Sequence, residues 1–78
     1  MQKNVKVYST PTCPWCIRVK QFLTDNKIDF QNIDVGSDQA GAEEMVEKSG
    51  QMGVPVIDIE GEIIVGFDKE RISKALGL

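Results

Sequence analysis

The chain has no histidine and only two cysteines among its 78 residues. A structural zinc site needs four ligands, so one chain cannot build it from cysteine and histidine. Two cysteines are also too few for a disulfide-stapled secreted scaffold. No apolar run approaches the ~18 residues that span a bilayer, and Met1 to Lys6 contain no apolar signal core. No stripe of basic and aromatic residues suggests nucleic acid. Gly50 and Gly53 flank only Gln51 and Met52, with no Lys-Ser/Thr after them, so no phosphate-cradling loop is present. These absences set the expectation of a soluble protein in a reducing, cytoplasmic setting, without membrane or nucleic-acid partners.

Hydrophobic residues make up 41% of the chain and charged residues 27%, ordinary values for a globular protein. The length allows one small domain over residues 1–78, which buries only about 60% of the surface of its unfolded form. The net charge of −3 is unevenly spread. Lys3, Lys6, Arg18, Lys20 and Lys27 face only Asp25 in the first 27 residues, whereas the remainder is strongly acidic. The basic portion either is one solvated half or surrounds a site for an anion. It contains both cysteines.

Val5 and Val7 alternate with Lys6 and Tyr8, so residues 4–9 read as a strand. Cys16, Val19, Phe22 and Leu23 share a helical face, and Pro14 suits a first turn; this predicts a helix over 14–26. A strand with an irregular end is expected near 29–34. Ser37 or Asp38 caps a second helix with Ala42, Met45 and Val46 inward and Gly50 as its stop. Residues 54–59 and 62–66 read as a hairpin around Glu60-Gly61. Asp68 then caps a last helix, with Phe67 and Ile72 as a hydrophobic staple and Gly77 as its end. The order β-α-β-α-β-β-α defines an α/β protein with a four-stranded mixed sheet. Its first crossover is parallel, its late hairpin antiparallel, and helices cover both faces.

Cys13-Pro14-Trp15-Cys16 is the strong chemical signal, placed at a strand-loop-helix junction. Residues i and i+3 of a first turn lie ~5–6 Å apart between Cα atoms, within reach of a disulfide. Cys13 falls at the N-cap, where unpaired N–H groups and the helix dipole favour thiolate over thiol. Cys16 lies one turn further in, faces the core and acts second. Free cysteines also serve as small core residues, but a Thr-Pro-Thr loop followed by proline is not a core position for Cys13.

With these residues the sequence resembles the glutaredoxin family of the thioredoxin-like fold. The points of match are Val7-Tyr8, Thr12-Cys13-Pro14-Trp15-Cys16, Ser49-Gly50, Val54-Pro55 and Gly66-Phe67-Asp68. It looks most similar to short bacterial glutaredoxin-like proteins of the YruB type, and more distantly to NrdH-type redoxins. The resemblance implies a Cys13–Cys16 redox-active disulfide, with Cys13 as nucleophile and Cys16 as resolving thiol. It implies a cis Val54-Pro55 bond, whereas the residues alone favour a trans proline at a strand start. A cis bond there turns the Val54 backbone toward Cys13 for strand-like pairing with an extended thiol peptide. Asp68 and the neighbouring Phe67 match the segment that holds the γ-glutamyl end of glutathione, and Thr12, Pro14 and Trp15 flank the bound thiol.

Some positions depart from the family pattern. Thr10 stands where many relatives have Lys, Gly53 where Thr is usual, Val65 where a first glycine is usual, and Lys69 where Asp is frequent. Ala40-Gly41-Ala42 brings no cation to the start of the second helix. The expected activity is disulfide reduction with no tightly bound cofactor and no metal, by a monomer acting on disulfide-containing proteins. Glutathione is the expected co-substrate. The alternative is a redoxin reduced by thioredoxin reductase that donates to ribonucleotide reductase. Two further readings use the same fold: a dimer holding an iron–sulfur cluster through Cys13 of each chain, with glutathione as further ligand, and a non-catalytic interaction domain. Pro14 stiffens the loop against the cluster, and retention of both cysteines opposes the non-catalytic reading.

Overall fold

The computed structural model describes residues 4–78. Lys3 of the basic half, and Met1–Lys3 of the segment read for a signal core, lie outside the described residues. The elements are β1 (Val5–Ser9), α1 (Pro14–Asp25), β2 (Gln31–Asp34), α2 (Gln39–Ser49), β3 (Val56–Ile59), β4 (Glu62–Val65) and α3 (Lys69–Leu76). The sheet order is β2-β1-β3-β4. β1 runs parallel to β2, while β3 is antiparallel to β1 and to β4. The order and mixed sheet expected from the pattern are the ones observed.

Strand alternation divides the core into two layers. Val5, Val7, Ile57, Ile59 and Ile64 meet Val19 and Leu23 of α1 and Ile72 of α3. On the opposite face Tyr8 and Val56 meet Met45 of α2, with Ile33 packed against them. β3 is buried along its whole length, as a central strand between two helical layers must be.

The cap residues act as the sequence suggests. Asp38, rather than Ser37, caps α2 by accepting the Gly41 N–H at 2.9 Å. Asp68 caps α3 by accepting the Arg71 N–H at 3.1 Å. Phe67 packs against the cluster that contains Ile72, as a staple requires. In the hairpin, Glu60 and Gly61 have φ of 51° and 94°, the left-handed pair of a tight turn.

Three local readings are corrected. The strand expected over 54–59 starts at Val56, because Val54-Pro55 is cis. β2 starts only at Gln31, since Phe30 turns into the α1–α3 layer before the strand begins. Val46 is not inward: it is exposed, and Gly41 with Met45 forms the buried face of α2. Gly41 is there for lack of a side chain, since a Cβ would come within 2.5 Å of Ile33 Cγ2.

Lys6 is also placed away from the cysteines. It projects to the α2 side and pairs with Glu44 at 3.6 Å. Lys48 of α2 bridges Asp58 at 2.6 Å and donates to the Tyr8 hydroxyl at 3.1 Å, while Tyr8 donates to Glu44. This network holds α2 to β1 and β3. It keeps the Glu44 carboxyl below and the Lys48 ammonium above its usual range, chiefly through the Tyr8 and Asp58 hydrogen bonds respectively.

Candidate active site

β1 ends at Ser9, and a short turn later the chain enters α1. That turn puts Cys13 at the N-cap, with extended backbone (φ −88°, ψ 113°). Its N–H donates to the Thr10 carbonyl at 3.3 Å, which closes the turn. Its Sγ accepts the Cys16 N–H at 3.2 Å. Pro14 occupies the first helical position, where no N–H partner is needed.

The two thiols differ in access. Cys13 is half-buried and Cys16 fully buried, and both are free. Burial, then the hydrogen-bond contact with Cys13, pushes the Cys16 thiol up to about 11. At neutral pH Cys16 is therefore a protonated, shielded thiol. The accessible sulfur, aimed at by a helix-terminal N–H, is Cys13.

A cavity of about 250 Å³ opens nearby, lined by Trp15, Val54, Pro55, Gly66 and Phe67. Four of the residues expected to bind substrate thus share one wall. Trp15 is 55% exposed, which settles it as a surface residue rather than a core one. Its ring lies 6.5 Å from that of Phe67, which stands 6.0 Å from Phe22. The Arg18 guanidinium lies 5.0 Å over the Trp15 ring, within cation–π range. Thr12 and Pro14 are exposed beside Cys13 but do not line the cavity, and neither does Asp68.

The Val54-Pro55 bond is cis, as the family resemblance implies and against the trans form favoured by the residues alone. The Pro55 carbonyl accepts the Gly66 N–H at 2.8 Å, which ties the end of β4 to the proline. Among the described residues, no hydrogen bond engages the Val54 N–H or C=O.

Gly66 and Arg18 are site residues to which the sequence reading gives no role of their own. Gly66 is visible in the Gly-Phe-Asp segment, and its φ of 82° shows why glycine stands there. Arg18 is one helical turn from Trp15, so spacing could have found it.

Two thiols one helical turn apart, one accessible at a helix N-terminus and one buried behind it, define a dithiol thiol–disulfide oxidoreductase of the thioredoxin-like fold. Comparison with known proteins gives the family. The glutaredoxin family profile matches residues 5–64. An uncharacterized glutaredoxin-like 8.6 kDa protein in the rubredoxin operon of Clostridium pasteurianum is 51% identical over 72 residues, covering 92% of this chain and 96% of that one. The crystal structure of the thioredoxin-like protein BC3987 superposes with a TM-score of 0.88 at 32% identity, covering 94% of this chain and 100% of that one. A buckwheat glutaredoxin–glutathione complex has a TM-score of 0.77 at 26% identity, covering 96% of this chain and 74% of that one. The chain belongs to the glutaredoxin family.

Among the described residues no group of three or more cysteine, aspartate or glutamate side chains is placed to hold a metal ion, and no helix is long and apolar enough to cross a membrane.

Proposed function

We propose that the protein reduces disulfides of proteins, and mixed disulfides with glutathione, through Cys13 and Cys16. The observation that carries this is the Cys16 N–H to Cys13 Sγ contact at 3.2 Å beside the cavity of Trp15, Val54, Pro55 and Phe67. Cys13 thiolate attacks one sulfur of the substrate disulfide. A mixed disulfide forms, and the other sulfur leaves as a thiolate that takes a proton. Cys16 then loses its proton to solvent and attacks Cys13 Sγ. The substrate thiolate leaves, and the Cys13–Cys16 disulfide holds the two-electron oxidation. Two glutathione molecules reverse this in the same two exchanges and become oxidised glutathione.

The Val54 backbone offers a free N–H and C=O to an extended peptide, in the manner of an added strand. Trp15 and Phe67 supply apolar wall to that peptide. Asp68 retains one carboxylate oxygen beyond its cap bond for the γ-glutamyl amine, with Thr12 and Pro14 as the rim around Cys13. The likeness to the buckwheat complex supports glutathione as partner. Within the family we place the chain with the short YruB-type proteins, supported by its near full-length match to the Clostridium protein. The cycle uses two thiols of one chain, so a monomer forming one domain suffices, and a free dithiol suits the reducing cytoplasm.

A second reading is reduction by thioredoxin reductase, with ribonucleotide reductase as acceptor. The uncharged lining of the cavity favours it, because the cation beside the site, Arg18, stacks over the Trp15 ring instead of lining the cavity. One experiment separates the two. The oxidised protein is offered glutathione with glutathione reductase, or thioredoxin reductase alone, each with NADPH. Turnover with glutathione is expected; turnover only with thioredoxin reductase overturns the glutathione assignment.

A further inference from the structure

The loop between α2 and β3 holds a closed set of hydrogen bonds around one side chain. Gln51 Oε1 accepts the Gly53 N–H at 2.5 Å, and Gln51 Nε2 donates to the Gly53 carbonyl at 3.0 Å. The amide thus takes both backbone polar groups of a single residue. The Ser49 hydroxyl anchors the other side of the loop. Its single O–H is shared between the carbonyls of Met45 at 2.7 Å and Gln51 at 3.0 Å, so the loop is tied to the end of α2.

The consequence lies one residue further on. The Gly53 N–H and C=O are closed off by Gln51, Pro55 has no N–H, and its carbonyl is taken by Gly66. Within residues 53–55 that leaves Val54 alone with a backbone donor and acceptor free of protein partners. Gly53 also has to be glycine while the clamp is closed. A Cβ there would stand 2.6 Å from Gln51 Oε1, with nothing else closer than 3.7 Å. The obstacle is the end of a flexible side chain, so a substituent at 53 displaces the amide without disturbing the fold.

We infer that Gln51 is a positioning residue that sets the register of the incoming disulfide. By occupying Gly53 it leaves Val54 as the single pairing point for an extended peptide segment beside Cys13. Without the clamp, the Gly53 groups become a competing pairing point, and part of the bound substrate sits out of line with the sulfur. This rests on the proposal that substrates pair with Val54, and it adds the residue that makes that pairing singular.

The test uses fully reduced protein freed of reductant, so the natural electron donor does not enter. Three disulfides are offered over a range of concentrations: oxidised glutathione, a short peptide disulfide dimer, and bis(2-hydroxyethyl) disulfide, which has no peptide group. Gln51→Ala should lower the limiting rate with the two peptide-bearing substrates about three- to tenfold, because substrate held out of line fills the site unproductively, by a preference no larger than one ordinary hydrogen bond. Its half-saturating concentration should fall with that rate, and its rate with the hydroxyethyl compound should stay within about twofold of wild type. Gly53→Ala should reproduce the effect, and the double variant should be no worse than either single one, since both remove the same clamp. Gln51→Glu keeps the acceptor for the Gly53 N–H and should recover part of the loss. An unchanged limiting rate with the peptide-bearing substrates, additive losses in the double variant, or an equal loss with the hydroxyethyl compound would each overturn the assignment. A wild-type protein inert to oxidised glutathione but active on the peptide sinks the glutathione reading alone; the Gln51 comparison on the peptide then decides the clamp by the same criteria.

Discussion

The backbone N–H of Cys16 points at the sulfur of Cys13 across 3.2 Å. The residue that attacks second therefore supports the one that attacks first, and does so through its main chain. Hydrogen bonds to ionised acceptors are the stronger kind, and this N–H is the donor placed for the sulfur that attacks. The arrangement divides the two roles by backbone and side chain, which makes them separable by substitution.

Cys16→Ser keeps the N–H and removes the resolving thiol. It should still attack a disulfide and then stop as a mixed disulfide on Cys13, visible as one added substrate mass by intact-protein mass spectrometry. Cys13→Ser should abolish disulfide reduction altogether. A mixed disulfide trapped on Cys16 of Cys13→Ser, with none on Cys13 of Cys16→Ser, would reverse the assignment.

Alkylation at pH 7 should modify Cys13 and spare Cys16, whose thiol is both buried and pushed up to about 11. The same shift links to stability. Cys16 ionises at about 9 when unfolded and about 11 when folded, so its contribution is fully present below pH 9 and lost as pH rises through 11. Urea unfolding should show falling stability across that window. The slope should be shallower in Cys16→Ala, with the raised Tyr8 phenol and the raised Lys48 ammonium contributing with the same sign.

Trp15 is the sole tryptophan and sits on the motif between the two thiols, with Arg18 over its ring and Phe67 beside it. Its fluorescence should change when Cys13 and Cys16 are oxidised to the disulfide. Identical emission spectra in the two redox states would remove Trp15 as a partner-contact residue.

Lys48→Met should destabilise the protein by about 1–3 kcal/mol, because it strips the mostly buried Asp58 of its cation. The Gly61 N–H still reaches Asp58 Oδ1 at 2.9 Å, which limits the loss. Denaturant titration measures it, and replacing Asp58 by Asn in the same chain should recover part of it. A single variant as stable as wild type would show that the network is without energetic weight.

Gly41→Ala drives a methyl group to 2.5 Å from Ile33 Cγ2. The expected cost is about 1–3 kcal/mol by overpacking, read as a lowered melting temperature. Ile33→Val removes only the δ-carbon and should leave the clash in place, whereas Ile33→Ala removes Cγ2 and with it the clash. A melting temperature equal to wild type in Gly41→Ala would contradict the close approach of α2 and β2.

Much of this is legible in the chain because it is local. The apolar spacing of Cys16, Val19 and Leu23, the caps at Asp38 and Asp68, and the stops at Gly50 and Gly77 depend on neighbours within a turn or two. The N-cap place of Cys13 is local in the same way, following from Pro14 and the helical periodicity behind it. Val46 escapes a local reading because its apolar character is real but its direction depends on how α2 rolls against the sheet. That roll is set by the contact of Gly41 with Ile33, a pair with no sequence pattern.

The element order and the unequal access of the two thiols are properties of the residue order, since both follow from short-range periodicity and from where a helix must begin. What stands around those thiols is a property of the folded chain. Trp15 meets Phe67 from the opposite end of the sequence, and Pro55 is held by Gly66 from the end of the neighbouring strand. Lys6 is drawn to Glu44 instead of to the cysteines. These choices depend on the pairing of β1 with β3 and of β3 with β4, which brings distant segments to one end of the sheet. Contacts of that kind arise only when the whole chain has folded, because each contributes too little to order the intervening residues alone.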